Sequence, residues 1–181
     1  MMFQRFYPGK YMDSAYEIPY EMYYKRGIRG IIFDIDNTLV PHGAPADERA
    51  KELFSRLRKA GFHTCLMSNN KKSRVASFAG EVHSDYLYKA GKPGRSGYQK
   101  AMRKMGTSPE STLFVGDQLF TDVYGANRAG IDTVLVKPIH PKEEIQIVIK
   151  RRFERIILWF YKRSLAEEQE TAKHRKKSGE E

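Results

Sequence analysis

From Gly30 onward the chain alternates short β-rich runs with helix-length amphipathic stretches, and this alternation limits the possible folds more than any other feature. Runs at 31–35, 63–67, 86–88, 113–115 and 133–136 are apolar and rich in β-branched or aromatic residues. Between them, 46–60, 72–82, 95–105 and 121–129 read as helices, and Gly61, Gly106 and Gly130 stand where helices should stop. A regular strand–helix alternation predicts a Rossmannoid α/β fold: a parallel sheet, five strands in the order 3-2-1-4-5, with helices on both faces. The chain's 181 residues suffice for one such packed domain. No repeat of about 20–50 residues suggests a solenoid or propeller.

The catalytic core is expected at 30–140. Residues 1–29 hold eight aromatics, too many for a disordered tail, and are expected to pack on the core. A stacking platform for single-stranded nucleic acid is the sharper alternative for these rings. Residues 141–165 read as a C-terminal amphipathic basic helix, and 166–181 as a charged, disordered tail.

Ligands of open parallel sheets bind at the carboxyl ends of the strands. Those ends carry Asp34-Ile35-Asp36-Asn37-Thr38, then Ser68-Asn69-Asn70, then Lys92-Pro93, then Gly116-Asp117 with Asp122 beyond. Carboxylates at i and i+2 on an extended strand end face the same side, so Asp34 and Asp36 can address one reacting centre. One attacks and the other manages protons, as in phosphoryl transfer through an aspartyl-phosphate. Clustered carboxylates need a cation, and a hard, oxygen-seeking Mg²⁺ fits Asp34, Asp117 and a backbone carbonyl. Ser68 and Lys92 can then supply a hydrogen bond and a positive charge to the transferring group. Asn69 is a further candidate phosphate ligand. Lys89 competes with Lys92, but Pro93 suggests a helix start just after Lys92. Ser68 could also cap the helix beginning near Lys71. His42 lies close enough to the first motif to meet substrate. Cys65, in the second predicted strand, reads as a buried small residue.

These motifs, in this order, resemble the haloacid dehalogenase (HAD) superfamily of Mg²⁺-dependent phosphatases over about residues 28–138. The resemblance implies that Asp34 is the nucleophile and Asp36 the general acid/base. It also implies that Asp34, the Asp36 carbonyl and Asp117 hold Mg²⁺, with Asp122 supporting metal or lysine. Gly27-Ile28-Arg29-Gly30 leading into the first motif, and Gly116-Asp117-Gln118-Leu119-Phe120-Thr121-Asp122, are similar to the YqeG-like subfamily IIIA phosphatases, which include relatives acting on phosphatidylglycerophosphate.

Asp36 and Ser68 lie 32 positions apart, and Ser68 and Lys92 lie 24 apart. Each interval holds about one helix and one strand, so neither has room for the cap domain that HAD enzymes often insert. An open mouth suits a large substrate, a protein or a lipid headgroup. On a helical wheel Ile145, Val148, Ile149, Phe153, Ile156, Ile157, Trp159 and Phe160 share one half-cylinder. Residues 150–163 carry six basic side chains against Glu154 alone. Such a helix either docks on the core or lies on anionic lipid.

The whole chain has 32 Lys and Arg against 22 Asp and Glu, a formal net charge of +10 that favours anionic partners. No apolar run approaches the roughly 20 residues of a spanning helix. The N-terminus lacks a signal-peptide core, and the lone Cys65 cannot form an internal disulfide, so a reducing, cytoplasmic setting is expected, with peripheral membrane contact compatible with it. The expected partner is a phosphorylated substrate, with phosphatidylglycerophosphate one candidate. Two alternatives remain: a phosphatase of a soluble phosphometabolite, nucleotide or phosphoprotein, and a weakly active HAD-fold protein that binds RNA or the ribosome.

Overall fold

A computed structural model of the chain describes residues 4–140, 154–163 and 166. Six parallel strands form one sheet: β1 (Lys10–Met12), β2 (Gly30–Phe33), β3 (His63–Met67), β4 (Asp85–Leu87), β5 (Thr112–Gly116) and β6 (Asp132–Val136). Their order is β1-β6-β5-β2-β3-β4. The five strands from β2 onward therefore stand in the expected 3-2-1-4-5 arrangement. The sheet is nonetheless six-stranded, because the N-terminal segment adds β1, whose Lys10 is paired with Val134 of β6.

The strands bury side chains on both faces with a period of two. Ile31 and Phe33 of β2, Leu66 of β3 and Leu113 and Val115 of β5 join one apolar cluster. Their neighbours Ile32, Cys65, Met67 and Phe114 join another on the opposite face. The first face is covered by α1 (Tyr20–Lys25), α2 (Glu48–Lys59) and α3 (Lys72–Val82), the second by α4 (Arg95–Met105) and α5 (Tyr124–Arg128). In α2 the buried set Ala50, Leu53, Phe54 and Leu57 has the spacing of a single helix face, and Asp47 caps the first turn by accepting from the Ala50 amide at 2.8 Å.

The aromatic N-terminal residues pack on this body. Phe6 stacks on Tyr124 at 4.5 Å, Tyr20 meets Phe33 and Phe62, and the Tyr16 hydroxyl donates to the Leu39 carbonyl at 2.6 Å.

One expected helix is different. Instead of a regular helix over 121–129, Leu119–Val123 makes a wide π turn before α5. The Asp122 and Val123 amides both donate to the Gln118 carbonyl, which swings Asp122 inward. At the C-terminal end 154–163 is helical, while the expectations for 141–153 and almost all of 166–181 lie outside the described residues. Among the described residues no helix is long and apolar enough to cross a membrane.

Burial pushes the Cys65 thiol up to about 12, with Asp85 adding to the rise. At about pH 8 only roughly one thiol in 10⁴ is then ionised, against about one in four for a free thiol. Iodoacetamide is expected to alkylate Cys65 in the native protein at least about 10³-fold more slowly than in the urea-unfolded chain. Equal rates, read by mass spectrometry, would contradict this burial.

Candidate active site

All strands being parallel, their carboxyl ends meet at one edge, and the central strands β2 and β5 lie side by side there. β2 ends at Phe33, and the Asp34 amide still donates to the Val115 carbonyl at 2.9 Å, so the first carboxylate is fixed by the sheet itself. The chain then turns sharply. Asn37 has φ of 64°, its amide donates to the Val40 carbonyl, and the Leu39 amide donates to the Ile35 carbonyl. This turn replaces the last two residues expected of the strand.

Lys92 is the hub. Its Nζ donates to Asp34 Oδ1 at 2.5 Å and to Asp122 Oδ1 at 2.7 Å, and all three side chains are buried. Asp122 also accepts from the Gln118 amide at 3.1 Å, while the Tyr98 hydroxyl donates to the Thr121 and Asp122 carbonyls and pins the π turn. Gly116 makes room for that carboxylate: a Cβ there would lie 2.7 Å from Asp122 Cγ. Asp117 completes the group by accepting from the Thr38 hydroxyl at 3.2 Å. One oxygen from each of Asp34, Asp117 and Asp122 lies within 4.8 Å of the others.

Asp36 stands apart from that cluster. It accepts from the Gly43 amide at 2.8 Å, from Arg74 Nη2 at 2.9 Å and from Asn70 Nδ2 at 3.3 Å. Burial alone would raise its pKa, but these donors and the Arg74 charge hold it below the usual carboxylate range. Asp34 and Asp36 nevertheless line the same cavity of about 310 Å³, with His42, Ser68, Lys92 and Gln118. Ser68 Oγ accepts from the Asn70 amide at 3.1 Å and does not cap α3, which starts after Lys71 without a side-chain cap. Asn69 turns its amide group to the backbone of Lys92, accepting from its N–H at 2.9 Å and donating to its carbonyl at 3.1 Å, so it fixes the lysine loop. Lys89 is exposed, and α4 starts at Arg95, two residues beyond Pro93.

Sequence reasoning missed Arg74, Thr38 and Tyr98. Arg74 alone carried a signal, being a cation in the first turn of a helix that follows a functional strand end.

The buried group contains three carboxylates and one ammonium, all hard oxygen donors apart from Lys92 itself, and a divalent cation suits that excess of negative charge. Burial raises the Asp34 carboxyl from 3.8 to about 6; Lys92 opposes the rise and Asp122 adds to it. The folded, metal-free protein therefore keeps a proton that the unfolded chain loses near its ordinary pKa. Stability is fully present below that pKa and falls as pH rises through about 6. A bound cation takes the proton's place. Mg²⁺ is thus expected to raise the melting temperature, by more at about pH 7 than at about pH 5, and Asp117→Asn is expected to abolish the increment. Calorimetry showing no increment, or the same one at both pH values, would remove the cation from this cluster.

Residues 89–145 match the family model described as "HAD-hyrolase-like". The chain is 35% identical to the probable phosphatase YqeG of Bacillus subtilis (strain 168), over 90% of this chain and 95% of that protein. It is 29% identical to phosphatidylglycerophosphate phosphatase 1, chloroplastic/mitochondrial, of Arabidopsis thaliana, over 82% of this chain but only 45% of that longer protein. In three dimensions it is similar to a HAD phosphatase from Thermococcus onnurineus, with a TM-score of 0.51 and 15% identity over 65% of this chain and 90% of that one, a likeness of fold.

Proposed function

The chain belongs to the HAD-like hydrolases, among phosphatases of the YqeG kind, and from that premise we propose that it hydrolyses a phosphomonoester through an aspartyl-phosphate on Asp34, with Mg²⁺ as cofactor. The observation that carries this reading is the Lys92 ammonium bridging the buried Asp34 and Asp122 at the edge of a cavity that Asp36 also lines.

In the first step an Asp34 carboxylate oxygen bonds to phosphorus as the phosphorus–ester oxygen bond breaks. Asp36, which takes up a proton from solvent as the phosphate binds, gives that proton to the leaving oxygen. An approaching phosphate raises the proton affinity of Asp36, which the Gly43 amide, Arg74 and Asn70 otherwise hold ionised. In the second step Asp36 takes a proton from water, the water oxygen bonds to phosphorus, and the bond to Asp34 breaks to release inorganic phosphate. Lys92 and the Ser68 hydroxyl balance charge on the transferring oxygens, and Asn69 holds Lys92 in register. Asp34, Asp117 and the Asp36 carbonyl would hold the Mg²⁺, while Asp122 supports Lys92. When bound, the ion supplies the charge neutralisation that lets a carboxylate approach a phosphate dianion.

The substrate we favour is a phospholipid headgroup phosphate, phosphatidylglycerophosphate in particular. The plant relative carries that activity in its name, and the 36–68 and 68–92 intervals hold only α2, β3, α3 and β4. The reading includes a reducing, cytoplasmic setting, with which a single buried cysteine agrees. The test is a rate comparison in Mg²⁺ across phosphatidylglycerophosphate in mixed micelles, sugar and triose phosphates, nucleotides, phosphopeptides and p-nitrophenyl phosphate. Phosphatidylglycerophosphate is expected to give the highest kcat/KM. A faster soluble phosphoester would replace the substrate and leave the chemistry standing. Salt-dependent RNA binding with no hydrolysis of any of them would replace the enzyme by a binding protein.

A further inference from the structure

The helix at 154–163 has two stripes with different surroundings. Ile157 and Tyr161, one turn apart, are both buried: Ile157 joins Leu119, Val123 and Leu135 in one apolar cluster, and the Tyr161 ring lies 5.3 Å from that of Tyr7. Glu154 secures the same side by accepting from the Leu119 amide at 3.0 Å. The other stripe, Ile156, Trp159, Phe160 and Arg163, follows the i, i+3, i+4, i+7 spacing of a single helix face. Its apolar members are 55%, 56% and 44% exposed, in chain order. The Trp159 and Phe160 rings meet edge to face at 4.9 Å, and the Arg163 guanidinium lies 5.6 Å from the Trp159 ring.

These three make up half of the six large apolar side chains that stand exposed among the described residues, gathered within five positions. That is a patch and not scatter. The basic residues Arg155, Lys162 and Arg163 accompany it, and the segment's single acid, Glu154, is turned inward to Leu119.

We propose that this stripe docks on the surface of an anionic phospholipid bilayer, with Ile156, Trp159 and Phe160 at the acyl boundary and Arg155, Lys162 and Arg163 among the headgroups. Exposed apolar and aromatic side chains accompanied, among the described residues of this helix, by Arg155, Lys162 and Arg163 are what an interfacial helix presents to such a surface. A second copy of the chain fits less well. Each copy carries +10, and three side chains cannot supply the roughly 800 Å² per partner of a stable protein interface.

The seat of the helix gives the contact a purpose. Leu119, whose amide donates to Glu154, is two residues past Asp117, and a cavity of about 290 Å³ lined by Asp117, Pro138, Glu154, Arg155 and Leu158 opens beside the helix at the end of β6. The loop of Asp117 therefore lies about one helix diameter, roughly 10 Å, from the docked surface.

Trp159 is the only tryptophan, so its emission reports the contact directly. The full chain, without metal or substrate, is titrated with phosphatidylcholine vesicles that contain or lack phosphatidylglycerol. With the anionic vesicles the emission is expected to shift to the blue, bromolipids to quench it, and the protein to co-sediment; added salt should reverse all three. Arg155→Gln and Lys162→Gln are each expected to weaken partitioning about fivefold. Ile156→Ser with Phe160→Ser keeps the seat and the reporter, and should lower it tenfold or more (roughly) at an unchanged melting temperature. Unmoved emission, or equal binding to neutral vesicles, overturns the proposal. So does self-association that shields Trp159 from acrylamide in the absence of lipid, which would put a second copy on the stripe. Because nothing is hydrolysed in these measurements, a failed phosphatase assignment cannot be mistaken for a failed membrane contact.

Discussion

Asp34→Asn is expected to abolish p-nitrophenyl phosphate hydrolysis in Mg²⁺, by on the order of 10⁴-fold or more, while the protein melts within about 1 kcal/mol of the parent. A carboxamide has the shape of the carboxylate and still offers an oxygen to Lys92, which now touches Asp34 at 2.5 Å. It cannot displace a phosphoester oxygen. Removing a carboxylate whose burial already lifts its pKa to about 6 also relieves a desolvation penalty, so the fold has little to lose. Asp36→Asn should do less damage, about 10²–10⁴-fold, because a proton carrier is easier to replace than a nucleophile. If the Asp34 variant turned over as the parent does, the nucleophile would have to be sought elsewhere.

Lys92→Met is the second large effect, and it concerns stability first. It leaves Asp34, Asp117 and Asp122 buried together without the ammonium that lies between two of them. Removing one member of a buried ion pair costs about 3–5 kcal/mol, because the partner's charge stays behind unpaired. For a chain of this size that is a fall of about 10 °C or more in melting temperature. Burial works against the charge on Lys92, but Asp122 and Asp34 outweigh it and hold its pKa above the usual lysine value, so the parent keeps the charge over the whole working pH range. Mg²⁺ should therefore stabilise the variant more than the parent, while catalysis stays about 10²-fold or more lower. A melting temperature within a degree or two (about) of the parent would mean that the lysine does not neutralise this cluster.

β2, β3, β5 and β6 were legible because each is buried on both faces and so reads as an apolar run, while β4, half-buried at the opposite edge, showed only as the run at 86–88. β1 was not legible: it is three residues long at the sheet's edge, begins with an exposed lysine, and meets a partner more than 120 residues away. The strand-end positions of Asp34, Ser68, Lys92 and Asp117 followed from parallel topology alone, which sends every carboxyl end to one edge. The partners of those groups did not. That Arg74 reaches Asp36, that Thr38 reaches Asp117, and that Asn69 points at the Lys92 backbone depend on loop paths and rotamers, which periodicity does not encode. The terminal helix shows the same limit. Its wheel displayed one broad apolar face, yet the edge of that face docks, because Tyr161 finds Tyr7 from the other end of the chain.

The position of β5 sets an order of events during synthesis. β2, β3 and β4 are neighbours in the chain and in the sheet, so a growing polypeptide can form them with α2 and α3 early. The strand that leads into Asp34 then still has one open side, which waits for β5, and β1 waits longer still for β6. Asp117 and Asp122 arrive only with that late half. A nascent chain thus exposes the Asp34 loop for much of its emergence without holding the other two carboxylates. The three carboxylates come together in one step, when β5 and the π turn join the sheet, and the unpaired edge of β2 is the surface that must be kept from other chains until then.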